Sequence, residues 1–194
     1  MRQFTGRYVF LYSAAVVAAA ALVLTVVSMS LRPLQERNRR VGQKQMILKS
    51  IGVESTPSDA EGRYAECVEE SVVGGLPYYR FDRGIVLPMR GTGLWGPIWG
   101  YMALDSSMTV VGVVFDHKGE TPGLGGEIAS DRFAARFVGK SMRGRPIRLK
   151  KHADKSSPYE VDAISGGTMT SNGVTDMLEA TYRQYAALLC GVED

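Results

Sequence analysis

The longest apolar stretch, from Tyr8 to Leu31, reads YVFLYSAAVVAAAALVLTVVSMSL and holds no charged side chain. As a helix rising about 1.5 Å per residue it would extend roughly 36 Å, enough to cross a hydrocarbon layer about 30 Å thick with some tilt. Tyr8 and Tyr12 stand near one end, where membrane interfaces favour aromatic rings. The run is longer than the roughly 7–15 apolar residues of a signal peptide, and no A-x-A-like cleavage site follows it. The pattern therefore predicts a retained single-pass anchor, a helix over about residues 8–31, and not a leader that is removed.

Beyond the anchor the pattern changes. Residues 34–51 mix Arg and Lys with a narrow apolar face of Val41, Leu48 and Ile51, predicting a basic helix that ends before Gly52. We expect this segment to behave as a solvated stalk on the membrane surface. Short runs at residues 78–81, 84–87, 100–104 and 108–115, rich in Val, Ile, Tyr and Phe and bounded by Gly, Pro or Asp, predict strands. Ser130 can cap a helix over residues 131–138, with Phe133 and Phe137 on one face and Gly139 at its end. Val174, Met177, Leu178, Tyr182, Tyr185, Leu188 and Leu189 recur at helical spacing and predict a last helix over residues 173–189. Ser171 or Asn172 is its expected N-cap. Residues 146–149 and 159–161 predict two further strands. Strands first and helices later indicate an α+β fold, not a regular βαβ repeat. The expected partition is a tail and anchor over residues 1–31, a basic helix and linker over 32–60, and an α+β domain over 61–194.

The net charge of +3 comes largely from Arg32, Arg37, Arg39, Arg40, Lys44 and Lys49, next to the apolar run. That placement implies contact with membrane lipids through anionic head groups, and not with nucleic acid. Fewer cations, Arg2 and Arg7, precede the anchor. Counting charge alone would put the C-terminal domain in the cytoplasm, although long domains translocate regardless of charge. Cys67 and Cys190 form no C-x-x-C pair, so one disulfide or two free thiols both remain open. His117 and His152 are the only histidines, and His117-x-x-Glu120 falls in a strand-to-turn pattern with no third ligand, so no metal site is expected. No G-x-S-x-G nucleophile elbow is present.

Three segments carry the candidate chemistry. Asp162 to Gly173 is a hydroxyl-dense, glycine-loosened turn running into the last helix, with Ser165, Thr168, Thr170 and Ser171 as hydroxyls that a phosphate could esterify. Glycine allows close backbone approach, and a helix start offers unpaired N–H groups to an anion. The same residues also suit a plain Ser/Thr-rich helix entry. Glu120 to Glu127 places Pro122 before Gly123, Gly125 and Gly126, a tight loop able to meet the polar edge of a planar ligand or to form a pair of β-turns. It does not match G-x-G-x-x-G, which disfavours a Rossmann dinucleotide site. Gly91 to Tyr101 gathers both tryptophans between short strands, where Leu94 and Trp95 could wall a flat ring system or fill a core.

Taken together these segments resemble the family of C subunits of the sodium-translocating NADH:quinone oxidoreductases, and more distantly the G subunit of the Rnf complex. The resemblance includes Glu36–Arg40, Gly93–Trp95, Thr121-Pro122-Gly123-Leu124-Gly125-Gly126-Glu127 and Asp162 to Val174. In that family a pattern Asp-x-x-Ser/Thr-Gly-Ala-Thr carries FMN, joined by a phosphoester to the final threonine. On this chain the pattern runs through Asp162, Ser165 and Gly166, Gly167 replaces the usual alanine, and the acceptor is Thr168, with Thr170 as the alternative. Covalent FMN is thus the implied cofactor, with Thr121, Gly123, Leu124, Gly125, Gly126, Glu127, Leu94 and Trp95 as expected ring contacts. The resemblance further implies an electron-relay role without NADH oxidation by the chain itself, other members of a multisubunit respiratory complex as partners, and a flavin transferase during maturation. It also implies a cell inner membrane location with the C-terminal domain periplasmic, against the local charge count. Competing readings are the Rnf-type protein, a non-redox membrane-anchored assembly module, and a secreted flavin-free enzyme.

Overall fold

The computed structural model describes residues 5–189; Arg2 and Cys190, and with Cys190 the pairing of the two thiols, lie outside the described residues. The chain divides into two units, Met1–Gly42 and Gln43–Asp194. Helix α1 (Gly6–Ser50) carries the whole apolar run and is the one helix among the described residues long and apolar enough to cross a membrane. Thr25 and Ser30 return their hydroxyls to the carbonyls of Ala21 and Val26 at 2.7 and 2.9 Å, which satisfies donors that hydrocarbon could not. The basic segment is continuous with this helix, Pro33 included, where a separate helix was expected.

The solvated stalk is corrected as well. Within the second unit the last turns of α1 are interior: Ile47 and Leu48 are 1% and 0% exposed, and Ile51 follows them into the core. They pack with Tyr64 of α2 (Ala60–Cys67) and with Tyr79, Val86, Tyr101 and Ala103. The apolar face of Val41, Leu48 and Ile51 was legible. What the pattern lacked was any sign that a sheet face needed covering.

That sheet is an antiparallel meander in the order β1 (Glu69–Val73), β2 (Leu76–Phe81), β3 (Gly84–Thr92), β4 (Pro97–Asp105), β5 (Val110–His117). Alternation along β4 feeds two cores, since successive side chains point to opposite faces. Ile98, Met102 and Leu104 face one core, shared with Phe133, Phe137, Val174 and Met177; Tyr101 and Ala103 face the core capped by α1 and α2. Strand β1 escaped the sequence reading because Glu69 and Glu70 open it; it is an edge strand, where exposed charge discourages further pairing.

Ser130 caps α3 (Asp131–Ala134) as expected, its Oγ accepting the Phe133 N–H at 3.2 Å. This single turn tightens into a 3-10 turn over Ala135–Phe137 and does not run on as an α-helix to residue 138. Strands β6 (Arg148–Lys150) and β7 (Glu160–Asp162) pair in parallel as a separate two-stranded sheet. Helix α4 (Thr168–Gln184) starts at Thr168, not at Gly173, with Gly167 as its N-cap in place of Ser171 or Asn172. Gly173 does not break the helix; a Cβ there would overlap the Thr92 carbonyl, so this glycine lets α4 lie directly on β3. The helix stops before Tyr185, and a short α5 (Ala186–Leu189) completes the predicted apolar stripe.

Candidate functional site

The three glycine-rich segments converge where β3 turns into β4, where β5 leaves the sheet, and where α4 begins. The β3–β4 connection is a tight turn closed by the Gly93 N–H donating to the Gly96 carbonyl at 2.8 Å. It leaves Leu94 and Trp95 displayed, at 51% and 69% exposure. After β5, the Thr121 carbonyl accepts the N–H groups of Leu124 and Gly126 at 3.2 and 3.0 Å, curling the loop onto itself before the 3-10 turn Gly125–Ala129. A Cβ on Gly125 would overlap both Glu120 Oε2 and Thr170 Oγ1, so the loop backbone lies directly on the first turn of α4. On the same seam a Cβ on Gly166 would come within 2.8 Å of Leu124 Cδ2, and one on Gly167 within 3.5 Å of the Gly125 nitrogen.

Glu120 is the knot of this arrangement. It is buried, its Oε1 accepts the Trp95 N–H at 2.8 Å, and its Oε2 accepts the Thr170 hydroxyl at 2.5 Å. Burial alone pushes its carboxyl up. Hydrogen bonds from Thr170 and from the N–H groups of Trp95, Leu94 and Gly96 more than offset that, and the net direction is below the usual Glu value.

The four candidate hydroxyls are sorted by this packing. Thr170 is buried and committed to Glu120. Ser171 is buried and accepts the Ile164 N–H at 3.1 Å. Ser165 and Thr168 are exposed, and only Thr168 stands on α4 itself. Gly167 supplies no side-chain cap, and the first backbone bond of the helix runs from the Ser171 N–H to the Gly167 carbonyl. The N–H groups of Thr168, Met169 and Thr170 therefore have no partner among the described residues. Three unpaired donors at the positive end of a 17-residue helix suit an anion. Arg136 braces the segment that leads into this helix, its Nη1 donating to the carbonyls of Asp162 and Ala163 at 2.8 and 3.3 Å.

The other expected residues fall around this centre. Asp162 ends β7 and spends one carboxylate oxygen on the Ala153 N–H at 3.0 Å. Thr121, Gly123 and Leu124 line the exposed side of the loop, while Gly125 is buried and Gly126 half-buried against His117 Nε2. Glu127 is exposed, and its carbonyl serves the turn into α3 by accepting from Ser130. Sequence reasoning missed three residues: Glu120 as a buried acceptor, Arg136, and Met169, which is 59% exposed next to Thr168. A carboxylate standing before a Pro-Gly turn was a usable sign for the first. Arg136 carried no local sign, because the carbonyls it serves lie 26 and 27 residues away.

An uncapped helix start, an exposed hydroxyl on it and a displayed indole beside a glycine loop fit a phosphate-bearing planar group such as FMN. Known proteins agree. The FMN-binding domain family matches residues 93–183, which takes in the Glu120 and Asp162 segments whole and the Trp95 segment from Gly93 onward. Over 96 residues the chain is 42% identical to the C subunit of the Yersinia pestis Na(+)-translocating NADH-quinone reductase, covering 46% of this chain and 36% of that protein. The Pasteurella multocida protein of the same name is 40% identical over 97 residues, 47% of this chain and 37% of its own length. The matched stretch is thus little more than a third of these relatives. Against solved structures the agreement is longer. The crystal structure of the C subunit of the Parabacteroides distasonis Na(+)-translocating NADH-quinone reductase is 32% identical, with a TM-score of 0.71 over 84% of this chain and 98% of that one. Shewanella oneidensis NqrC, 21% identical with a TM-score of 0.62, shares the fold. With nearly the whole of the Parabacteroides chain covered at that identity, the chain belongs to the family of Na(+)-translocating NADH-quinone reductase C subunits, with an FMN-binding domain.

Proposed function

We propose that this chain carries FMN through a phosphoester on the Thr168 hydroxyl and serves as an electron-relay subunit of a sodium-translocating NADH:quinone reductase complex. The observation that carries the reading is the sorting of hydroxyls at the start of α4. Thr168 is exposed on the first helical position, while Thr170 and Ser171 are buried in internal hydrogen bonds. The Gly167 departure from the family alanine leaves that hydroxyl in place. The N–H groups of Thr168, Met169 and Thr170 would hold the phosphodiester charge, while Arg136 fixes the Asp162 end of the segment that leads to them. Trp95, Leu94 and the Gly123–Gly126 backbone would meet the ring. FMN bound there supplies one- and two-electron chemistry, and the chain's own part is to fix its place and shape its surroundings.

Single-pass anchoring in the cell inner membrane, a periplasmic C-terminal domain, maturation by a flavin transferase and exchange of electrons with other subunits towards ubiquinone all belong to this proposal. α1 supports the anchor, and its apolar run contains no Asp, Glu, His, Lys or Arg, so the sodium path belongs to partner subunits. The displayed indole and the uncapped helix favour this reading over a flavin-free assembly module. The test is direct. Full-length protein matured with its transferase is denatured, run on a gel and examined for flavin fluorescence, and the peptide containing Thr168 is weighed by mass spectrometry. A fluorescent band and a phosphoester-linked FMN on Thr168 are expected; a colourless band with an unmodified peptide overturns the proposal.

A further inference from the structure

Burying a charge is costly unless donors meet it, so a buried carboxylate that serves one turn and one helix start calls for an explanation in what those two segments do. Glu120 is 4% exposed, and its partners Trp95 and Thr170 stand 25 and 50 residues away along the chain. It ties a hairpin turn on the sheet to the first turn of α4. The turn it pins displays the largest exposed side chain of this region, the Trp95 indole, and the helix it pins carries Thr168 two residues before Thr170. An exposed aromatic ring on a loose turn would sample many positions; on a backbone held by charge-assisted hydrogen bonds it is preorganised.

We propose that Glu120 is a positioning residue of the flavin site, locking the Leu94–Gly96 turn to Thr170 of α4 so that the Trp95 indole is held at a fixed place relative to Thr168. This rests on the flavin reading above and deepens it. Glu120 acts through Trp95 and Leu94. The lip and the attachment hydroxyl then move as one body, and the ring of an attached flavin has a wall that does not drift away. The same bond withdraws the Thr170 hydroxyl, a donor to the carboxylate, from use as an acceptor of phosphate.

The test uses the full chain matured with its transferase, as wild type, Glu120→Gln, Thr170→Val, Thr170→Ser and Trp95→Ala. Three quantities are read: flavin per chain on a denaturing gel, melting temperature, and fluorescence anisotropy of the attached flavin in native protein. Glu120→Gln keeps the size but removes the charge: its carbonyl oxygen can still accept the Trp95 N–H, while the Thr170 hydroxyl loses its carboxylate acceptor and meets a neutral NH2, so the tie is no longer charge-assisted. This variant is expected to retain covalent flavin while anisotropy falls about two-fold, towards the Trp95→Ala value, as the lip gains nanosecond motion. Thr170→Val should fall likewise and Thr170→Ser, which keeps the hydroxyl, should return to wild type. Wild-type anisotropy in flavin-loaded Glu120→Gln overturns the inference. If Glu120→Gln does not fold or load, the threonine pair decides: equal anisotropy in Val and Ser overturns it, and loss in Val with recovery in Ser upholds it. A colourless wild-type band sinks the flavin reading and this inference together, whereas a coloured wild type with an unmoved Glu120→Gln sinks the inference alone.

Discussion

Two glycines in one loop should fail for different reasons when replaced by alanine, and the difference tests how the site is packed. Gly123 has φ +74, and a Cβ there would meet nothing within 4 Å. Gly123→Ala therefore costs only the left-handed backbone penalty, roughly 1–2 kcal/mol. Gly125 opens the 3-10 turn Gly125–Ala129 and is not among the positive-φ glycines, so alanine suits its backbone. Its Cβ, however, would land on Glu120 Oε2 and Thr170 Oγ1. Forcing a methyl into filled space costs about 1–3 kcal/mol. Parting a hydrogen bond to a charged group costs about 1.5–3 kcal/mol more. Allowing for overlap between the two effects, Gly125→Ala should destabilise by about 2–5 kcal/mol. Urea unfolding of the full chain in detergent, followed by tryptophan emission and extrapolated linearly, measures both variants. Because much of the Gly125→Ala cost is the severed Thr170–Glu120 bond, it should shrink by about 1 kcal/mol or more in a Thr170→Val background. A Gly125→Ala cost no larger than that of Gly123→Ala, or strict additivity with Thr170→Val, would refute the packing account.

Thr168→Ala should abolish covalent flavin on the gel yet change stability by no more than about 0.5 kcal/mol, since the side chain is exposed and alanine is a good helix former; chemical unfolding beside the gel checks both halves. Leu48→Ala removes a side chain with 0% exposure from the core beneath the sheet and should cost about 2–5 kcal/mol, read by the same urea titration. Asp105, the last residue of β4, is held below its ordinary value of 3.8 by hydrogen bonds from the Ser107 hydroxyl and the Thr109 and Ser107 N–H groups, against a smaller opposing effect of burial. A depressed folded value means its stabilising contribution is full above 3.8 and is lost as pH falls through the lower folded value. Melting temperatures taken down that range should show a limb that Asp105→Asn flattens, and an unchanged limb would assign it elsewhere.

Features that depend on near neighbours could be read from the chain directly. The apolar run dictates α1 because uninterrupted hydrophobic residues leave helix as the structure that satisfies its own backbone. Short Val-, Ile-, Tyr- and Phe-rich runs bounded by Gly, Pro or Asp dictate β2 to β5, and Ser130 three residues before Phe133 dictates the cap on α3. The hydroxyl-dense stretch from Asp162 to Thr168 and the glycine loop stand out in the chain too, since each lies within a few residues. What only the tertiary structure decided is which hydroxyl is left open and what holds the lip. Thr168 and Thr170 have equal chemistry in sequence. They differ because Glu120, 50 residues earlier, takes the second and packing leaves the first in solvent. The start of α4 was misplaced for the same reason: Gly173 reads locally as a break, but its missing Cβ answers the Thr92 carbonyl on β3. The burial of Ile47 and Leu48 likewise follows from a sheet whose second face needs a cover. Long-range packing sets which polar groups are desolvated and paired, and near-neighbour patterns carry no information about partners that meet only when the chain has folded.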